Sequence, residues 1–149
     1  MQQDRIKVRE VNVAAIIDLR HRILRAGLPR STAIFPGDED AAAIHLAAFD
    51  GDQLLGCATL HRRADKTYQL RGMAVDSARQ RTGVGQLLLA EAERRAVANA
   101  APSIWANCRT PAVPFYEKNG WKIVSDEFVI ETAGPHFKMI KSLSFPQCP

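Results

Sequence analysis

The stretch from residue 70 to residue 89, LRGMAVDSARQRTGVGQLLL, constrains the fold more than any other part of the chain. A short apolar strand passes through a polar turn into a helix that begins at or near Gly83. Because the first N–H groups of a helix have no partner inside it, such a junction can bind an anion. Gly83 and Gly85 lack a Cβ, so a ligand could lie against the amides of residues 81–86. A glycine pair before a helix is, however, often a simple transition without a ligand.

The spacing of the glycines excludes two common phosphate-binding loops. A Walker loop needs a longer glycine spacing and a Lys-Ser/Thr pair, and the dinucleotide fingerprint needs three glycines. The segment 80–85, which follows a strand ending in MAVD, resembles the pyrophosphate loop of the GCN5-related N-acetyltransferase (GNAT) family. The resemblance implies that acetyl-coenzyme A is the co-substrate. Its diphosphate would then contact Arg79, Gln80, Arg81, Thr82, Gly83, Val84, Gly85 and Gln86.

A second motif lies at residues 107–121, NCRTPAVPFYEKNGW, and resembles the second signature of the same family. There Tyr116 stands at the position of the residue beside the leaving thiolate. A phenol has an ordinary pKa of about 10, so it is protonated at neutral pH and can act as the acid. By composition alone, the aromatic pair would instead be core packing with an exposed hydroxyl. Asn107 could place its amide against the cofactor arm, although an asparagine that caps a turn is expected about as often.

Hydrophobic periodicity and turn residues predict the secondary structure of the whole chain. Asn12 is a candidate N-cap for the first helix, and Gly72 indicates a bulge. The predicted strands are 6–11, 44–49, 53–60, 67–75, 104–108, 122–124, 128–130 and 136–140, and the predicted helices are 13–25, 83–99 and 112–118.

The resemblance also implies the architecture. The family fold is α/β (α+β), a mixed and mostly antiparallel sheet of six to seven strands flanked by about four helices. Its fourth and fifth strands separate in a V-shaped split. The backbone of Met73, Ala74 and Val75 would hold the thioester arm in this split and polarise its carbonyl.

One departure concerns the general base. Many family members carry a glutamate on the strand before the glycine loop, where this chain has Gln69 and Arg71. Glutamine cannot accept the proton, so either the amine arrives deprotonated or another group accepts its proton. The candidates by strand position are His45, His61, Asp65 and His136.

Length and composition limit the remaining possibilities. With 149 residues, 46% of them hydrophobic, residues 1–149 are expected to form a single N-acetyltransferase domain. A net charge of +4 suits a phosphorylated cofactor but not a nucleic-acid binder. Cys57, Cys108 and Cys148 form no metal or disulfide pattern, which predicts free thiols and no metal. With neither a signal peptide nor a membrane span in the sequence, a cytoplasmic protein is expected.

Two functions remain open at this point. The first is an enzyme that transfers an acetyl group to a primary amine by direct attack in a ternary complex. The second is a binding module that senses acyl-coenzyme A without turnover. The acceptor, a small-molecule or peptide amine, stays undefined because the acidic run 38–40 and the arginines Arg22, Arg25 and Arg30 suggest opposite charges. The acids alone are expected to be a solvated loop, and the C-terminal strands could form a homodimer edge.

Overall fold

The computed structural model describes residues 5–131 and 133–143. All its strands belong to one sheet, and helices pack on both faces. The strands are β1 (Ile6–Val11), β2 (Ile44–Asp50), β3 (Gln53–Arg62), β4 (Tyr68–Val75), β5 (Ser103–Arg109), β6 (Lys122–Ile123), β7 (Phe128–Ile130) and β8 (Gly134–Ser142). The α-helices are α1 (Ile17–Leu24), α2 (Val84–Ala98) and α3 (Val113–Glu117).

The order of the strands is β1-β2-β3-β4-β5-β8-β6, and β7 pairs with β8. Every pair is antiparallel except β4–β5, which is parallel. The expected mixed, mostly antiparallel sheet is therefore confirmed. The sheet has eight strands rather than six to seven, because the short β6 and β7 are separate strands. In the described part of the chain, three α-helices take the place of the expected four or so.

The first predicted helix is wrong at its start. Val13–Ala15 forms a 3-10 turn, and α1 begins only at Ile17. Ile16, whose φ of −116° departs from helical geometry, separates the two and is fully buried. Asn12 makes no side-chain cap hydrogen bond. The boundary between the 3-10 turn and α1 thus coincides with the buried Ile16 and not with a side-chain cap.

The two faces of the sheet carry different packing. On β2, Leu46 and Ala48 face the cluster built around α2, while Ala47 faces the cluster built around α1. This alternation is the ordinary consequence of the two-residue period of a strand. Gly56 of β3 allows a close approach of α2, since a Cβ there would lie 2.9 Å from Cγ1 of Val84. The start of α2 is therefore set tightly against the sheet.

The fourth and fifth strands separate as the resemblance implied. Parallel pairing is limited to Tyr68 with Ile104 and Gln69 with Trp105, although β5 goes on to pair with β8 along its whole length. The register of β4 against β3 shifts between Cys57 and Thr59, and Gly72 opposite this shift has a φ of +65°. The predicted bulge at Gly72 is confirmed. A bulge bends its strand, so it turns the end of β4 away from β5.

The cysteines and the helices give little sign of other chemistry. Cys57 and Cys108 are free and buried, and burial raises the pKa of each thiol to about 12. Cys148 lies outside the described residues. Within residues 5–131 and 133–143, no group of three or more His, Cys, Asp or Glu side chains could hold a metal ion. No helix in the same residues is long and apolar enough to cross a membrane.

Candidate active site

The N-terminus of α2 has the form of an anion site. Gly83 is its N-cap with a left-handed φ of +94°, and no side chain caps the helix. Leu87 makes the first intrahelical bond to the Gly83 carbonyl, and the first turn holds no acidic residue. Arg81 is also left-handed at φ +66°. Alternating left-handed and extended residues before an uncapped helix direct several N–H groups to one point.

Arg79 adds a cation with unused donors beside this turn. Its Nη2 lies 3.5 Å from the Asp50 carboxylate, whereas its Nη1 is buried and has no hydrogen-bond partner among the described residues. Buried hydrogen-bond donors are rarely left without a partner in native proteins. Because Arg79 belongs to the loop that leads into α2, its guanidinium adds positive charge near the free N–H groups of this helix. The residues present therefore fit the diphosphate of coenzyme A.

The other side chains of the loop have structural contacts. Gln80 donates to the Val75 carbonyl at 3.1 Å, and Gln86 donates to Oδ1 of Asn119 at 2.7 Å. The Thr82 hydroxyl donates to the Arg79 carbonyl. These bonds hold the loop against β4 and against the turn after α3. Of the predicted contacts, Gln80, Thr82 and Gln86 thus also shape the loop itself.

Gly85 is not required by the packing of the protein. A Cβ at this position would meet nothing nearer than 3.8 Å, the distance to the Phe115 ring, and would also approach Met73 and Val75 at 3.9 Å. Those are ordinary contact distances. Gly85 therefore faces Phe115, Met73 and Val75 at the side of the split, where the resemblance implies that the cofactor passes.

The split contains a cavity of about 290 Å³. Three of the predicted site residues line it together: Met73 from β4, Asn107 from β5 and Tyr116 from α3. The loop of residues 79–86 does not line it and lies at the end of β4, toward α2. Two parts of the predicted site are thus adjacent but separate.

Only some of the backbone N–H groups of β4 face the split. The Asp76 amide donates to the Leu55 carbonyl of β3 at 2.8 Å. Because backbone groups alternate in direction along a strand, the amide of Ala74 also faces β3, and that of Val75 faces the split. The Ala74 side chain is buried in the α1-side cluster. Among residues 73–75, Ala74 is therefore the least suited to contact a ligand.

Tyr116 is buried and lies against the cavity. Its ring packs edge to face with Phe115 and tilted against Trp121, both at 5.1 Å between ring centroids. Burial, and then the neighbouring Cys108, raise the pKa of the phenol above its usual value. The hydroxyl has no hydrogen-bond partner among the described residues. A phenol in this setting keeps its proton at neutral pH and can donate it to a group in the cavity.

The four candidate bases differ in their hydrogen-bond partners and in whether they line the cavity. His45 donates from Nε2 to the Asp38 carbonyl at 2.9 Å, its Nδ1 lies 2.9 Å from the Thr59 hydroxyl, and it does not line the cavity. His61 is bonded to Asp38 at 3.0 Å. Asp65 accepts from the amide and hydroxyl of Thr67 and also lies outside the cavity. Only His136 of the four lines the cavity.

The ring of His136 has a defined orientation. It stacks on Phe128 with centroids 6.1 Å apart, and its Nδ1 lies 2.8 Å from the Gly134 carbonyl. A carbonyl can only accept, so Nδ1 carries a hydrogen. In the neutral ring, Nε2 then holds the lone pair.

Gln69 and Arg71, which stand where a glutamate is common, have different roles. Gln69 accepts hydrogen bonds from the Arg63 guanidinium, with Nε at 3.0 Å. Arg71 lines the cavity and stacks on Phe35, its Cζ 4.3 Å from the ring centroid. Burial, followed by repulsion from Arg63, lowers the pKa of Arg71. Neither residue replaces a carboxylate base.

The acidic run 38–40 is only partly the solvated loop that its composition suggests, because its first residue is buried. Asp38 is only 4% exposed, and its carboxylate accepts from Arg20 at 2.7 Å, from the Phe35 amide at 2.8 Å and from His61. The expectation was wrong for this residue because a long-range partner compensates its charge. Glu39 and Asp40 are exposed and lie outside the cavity of the split.

The three arginines considered for the acceptor site also differ in their partners and in their position relative to the cavity. Arg22 pairs with Asp76 at 3.4 Å, and Arg30 pairs with Asp18. Arg25 alone of the three lines the cavity. Sequence reasoning missed Arg20, Phe35 and Arg109. Arg20 lies within the amphipathic pattern of α1 and carries no signal of full burial, and Phe35 and Arg109 stand in no motif.

Comparison with known proteins agrees with this geometry. A sequence model of the Acetyltransferase (GNAT) family matches residues 13–121. The uncharacterized N-acetyltransferase YitI of Bacillus subtilis (strain 168) is 27% identical over 144 residues, which cover 93% of this chain and 97% of YitI. The uncharacterized N-acetyltransferase YjcF of the same organism is 30% identical over 97 residues, which cover 65% of this chain and 69% of YjcF.

Solved structures show the same fold. Escherichia coli ElaA superposes with a TM-score of 0.79 at 18% identity and covers 92% of this chain and 99% of its own. An aminoglycoside 6'-N-acetyltransferase complexed with coenzyme A gives 0.76 at 19% identity, with 96% and 99% covered. Since the family match spans most of the sequence, the chain belongs to the Acetyltransferase (GNAT) family and is an acetyl-coenzyme A-dependent acyltransferase.

Proposed function

We propose that this enzyme transfers the acetyl group of acetyl-coenzyme A to a primary amine, which attacks directly while both substrates are bound. One observation carries the proposal: the cavity in the β4–β5 split has Met73, Asn107, Tyr116 and His136 in its lining. Backbone amides, a protonated phenol and a histidine lone pair are the groups that amine acetylation uses. The anion site at the start of α2 lies beside this cavity and would take the diphosphate.

Each end of the cofactor has its own contacts in this proposal. The amides of the first turn of α2 and the free donor of Arg79 would hold the diphosphate. The arm would pass Gly85 into the split, where the Val75 amide and the backbone of Met73 face it. Bound there, the cofactor supplies an activated thioester. Asn107, which is exposed on the opposite strand, would bind the arm from the β5 side.

Tyr116 acts as the acid in this mechanism. Burial holds its proton on the phenol, and the hydroxyl has no competing acceptor among the described residues. It can therefore donate to the sulfur of coenzyme A as the C–S bond breaks. The proton makes the thiolate a better leaving group, which is the usual function of an acid at this step.

His136 acts as the base. Its Nδ1 is bonded to Gly134, so Nε2 is the nitrogen that accepts the proton of the amine, directly or through water. This assignment supplies a base in place of the missing glutamate. It also removes the main argument for a non-catalytic binding module, which rested on Gln69 and Arg71 in place of that residue.

The role of Tyr116 is tested by Tyr116→Phe. We expect kcat to fall on the order of 100-fold or more, because general acid catalysis contributes about that much, while the affinity for acetyl-coenzyme A stays nearly unchanged. The measurement combines steady-state thiol release with calorimetric titration of the cofactor. Tyr68→Phe is the matched control, since Tyr68 is equally buried but does not line the cavity. An unchanged kcat in Tyr116→Phe would remove the phenol from the mechanism.

The role of His136 is tested by His136→Gln. We expect kcat/KM for the acceptor to fall on the order of 100-fold, because general base catalysis contributes about that much, while the affinity for acetyl-coenzyme A stays nearly unchanged. His21→Gln serves as control, because His21 bonds only to the Leu28 carbonyl outside the cavity. If His136→Gln retains the rate of the wild type, another group accepts the proton.

A further inference from the structure

The cavity of the split has an unbalanced charge. Three of its lining residues are arginines, Arg25, Arg71 and Arg109, and no aspartate or glutamate of the described residues lines it. The three come from different elements. Arg25 follows α1, Arg71 lies on β4 and Arg109 ends β5. The fold therefore brings three positive charges to one concave surface from three separate parts of the chain.

These arginines differ from most others in having no carboxylate partner. The side chains of Arg71 and Arg109 form no hydrogen bond or ion pair with any described residue, and the Arg25 side chain donates only to the neighbouring Leu24 carbonyl at 3.1 Å. By contrast, six arginines elsewhere are paired with acids: Arg20, Arg22, Arg30, Arg79, Arg94 and Arg95. Some other arginines, such as Arg9 and Arg62, also have no carboxylate partner, but they do not line the cavity. What distinguishes the cavity is that three guanidinium groups without acid partners converge on one concave surface.

Phe35 holds two of the three in place. The guanidinium carbons of Arg71 and Arg25 lie 4.3 and 5.5 Å from the centroid of its ring. Stacking on an aromatic face orients the planar guanidinium group but does not neutralise its charge. The forks of the guanidinium groups remain available for a ligand.

The arrangement is electrostatically costly without an anion. Burial, then Arg109, then Arg20 lower the pKa of Arg25, so its charge is disfavoured by its neighbours. Burial, Arg63, Arg20 and Arg25 together lower the pKa of Arg71, although the nearby Asp38 carboxylate partly opposes them. Like charges in a partly buried site repel more strongly than in water. A bound carboxylate or phosphate would offset the repulsion between the arginines, and their guanidinium groups would hold it by bidentate hydrogen bonds.

We propose that the acceptor is an amine that also carries an anionic group, a carboxylate or a phosphate, bound by Arg71 with Arg25 and Arg109. This inference rests on the proposed acetyl transfer, since it places the acceptor in the same cavity as Tyr116 and His136. The anionic group lies toward α1 and Phe35, and the amine lies toward α3 and β8. Diamines and polyamines are repelled from the site.

The first experiment measures thiol release from acetyl-coenzyme A with matched acceptors. Amino acids are compared with their amides, γ-aminobutyrate with putrescine, and O-phosphoethanolamine with ethanolamine. We expect kcat/KM at least tenfold higher for the anionic member of a pair, and the pairs that show this identify carboxylate or phosphate as the group bound. Equal or better turnover of the neutral and cationic members would overturn the proposal.

The second experiment uses Arg71→Gln with the best anionic acceptor. We expect its KM to rise at least tenfold, kcat to change less, and the calorimetric affinity for acetyl-coenzyme A to stay within twofold; Arg71→Lys should restore part of the loss. Arg9→Gln is the matched control, because Arg9 also stacks on a phenylalanine, Phe49 at 4.1 Å, but on β1 outside the cavity. An unchanged KM in Arg71→Gln contradicts the assignment.

The outcomes separate this inference from the proposed function. If the wild-type protein does not bind acetyl-coenzyme A, acetyl transfer itself fails. If it binds the cofactor and acetylates neutral amines equally well, only the anionic acceptor is wrong. Where no amine of the panel is acetylated, thermal stability of the coenzyme A complex is compared with succinate and with succinamide. Stabilisation by succinate that is lost in Arg71→Gln supports the site, and its absence counts against it.

Discussion

Arg20 and Arg71 stack on the same aromatic ring, but their positive charges are compensated to different degrees. Their guanidinium carbons lie 4.0 and 4.3 Å from the centroid of Phe35. Arg20 is fully buried and bonds to Asp38, Thr59 and the Ala33 carbonyl. Arg71 lines the cavity, and its side chain forms no ion pair with an acid among the described residues; Asp38 acts on it only at longer range. A compensated buried charge maintains the fold, whereas an uncompensated one beside a cavity is available to a ligand.

The compensated region also supports the uncompensated one. Asp38 accepts from the Phe35 amide as well as from Arg20, so the buried ion pair fixes the position of the ring on which Arg71 stacks. His45 and His61 close this network from β2 and β3. The shape of one wall of the cavity therefore depends on a network that contains no proposed catalytic group.

The largest expected effect comes from breaking the buried ion pair. Arg20→Met leaves the Asp38 carboxylate buried without its main partner, and we expect the free energy of unfolding to fall by about 3–5 kcal/mol. Arg71→Met, the matched change on the other side of Phe35, should alter it by no more than about 0.5–1 kcal/mol. Urea denaturation of both variants measures the difference.

A second variant sharpens this comparison. Adding Asp38→Asn to Arg20→Met removes the orphaned charge, so part of the lost stability should return. Equal losses in the two single variants would show that Arg20 and Arg71 do not differ in the way described.

A smaller effect is expected at the bulge between the two arginines. Gly72 has a φ of +65°, and a Cβ there would lie 3.0 Å from Nε of Arg20 and from the Phe35 ring. Gly72→Ala should therefore cost about 2–3 kcal/mol, from backbone strain and from displacement of Phe35. Gly51→Ala isolates the strain, because Gly51 has a similar φ of +60° and no atom within 4 Å of its added Cβ. Thermal unfolding that gives equal losses for both would show that the contacts with Arg20 and Phe35 contribute nothing.

The smallest effect concerns pH. Burial lowers the pKa of His61 despite its bond to Asp38, and a proton on its buried Nδ1 would have no acceptor among the described residues. Between this lowered pKa and the ordinary value of about 6.5, the unfolded chain binds more protons than the folded one. Stability is therefore complete above about pH 6.5 and is lost as the pH falls toward the pKa of the folded state.

Asp38 adds to the loss of stability at lower pH. Burial raises its pKa, but the hydrogen bonds from Arg20, Phe35 and His61 outweigh burial and lower it overall. Its contribution is lost as the pH falls below about 3.9. Urea denaturation between pH 7 and pH 5 tests the histidine part. His61→Gln keeps a donor for Asp38 and cannot titrate, so its stability should vary less with pH than that of the wild type. An equal slope would assign the titration to another group.

Sequence alone was sufficient where a local rule decided the conformation. α2 opens at Gly83 and the bulge of β4 lies at Gly72, as the positions of these two glycines predicted. The split between β4 and β5 followed from the resemblance of two motifs. The start of α1 was misplaced because burial of Ile16, a tertiary contact, determines where that helix begins.

By itself, the sequence determined the junction from β4 to α2, because a glycine without a Cβ and a helix with free N–H groups act within a few residues. Only the tertiary structure decided which charges are compensated. Arg20 meets Asp38 and Thr59 across 18 and 39 residues of sequence, and His136 and Arg71 reach one cavity from β8 and β4. The free energy of a charge depends on the atoms that surround it, and those atoms come from distant parts of the chain.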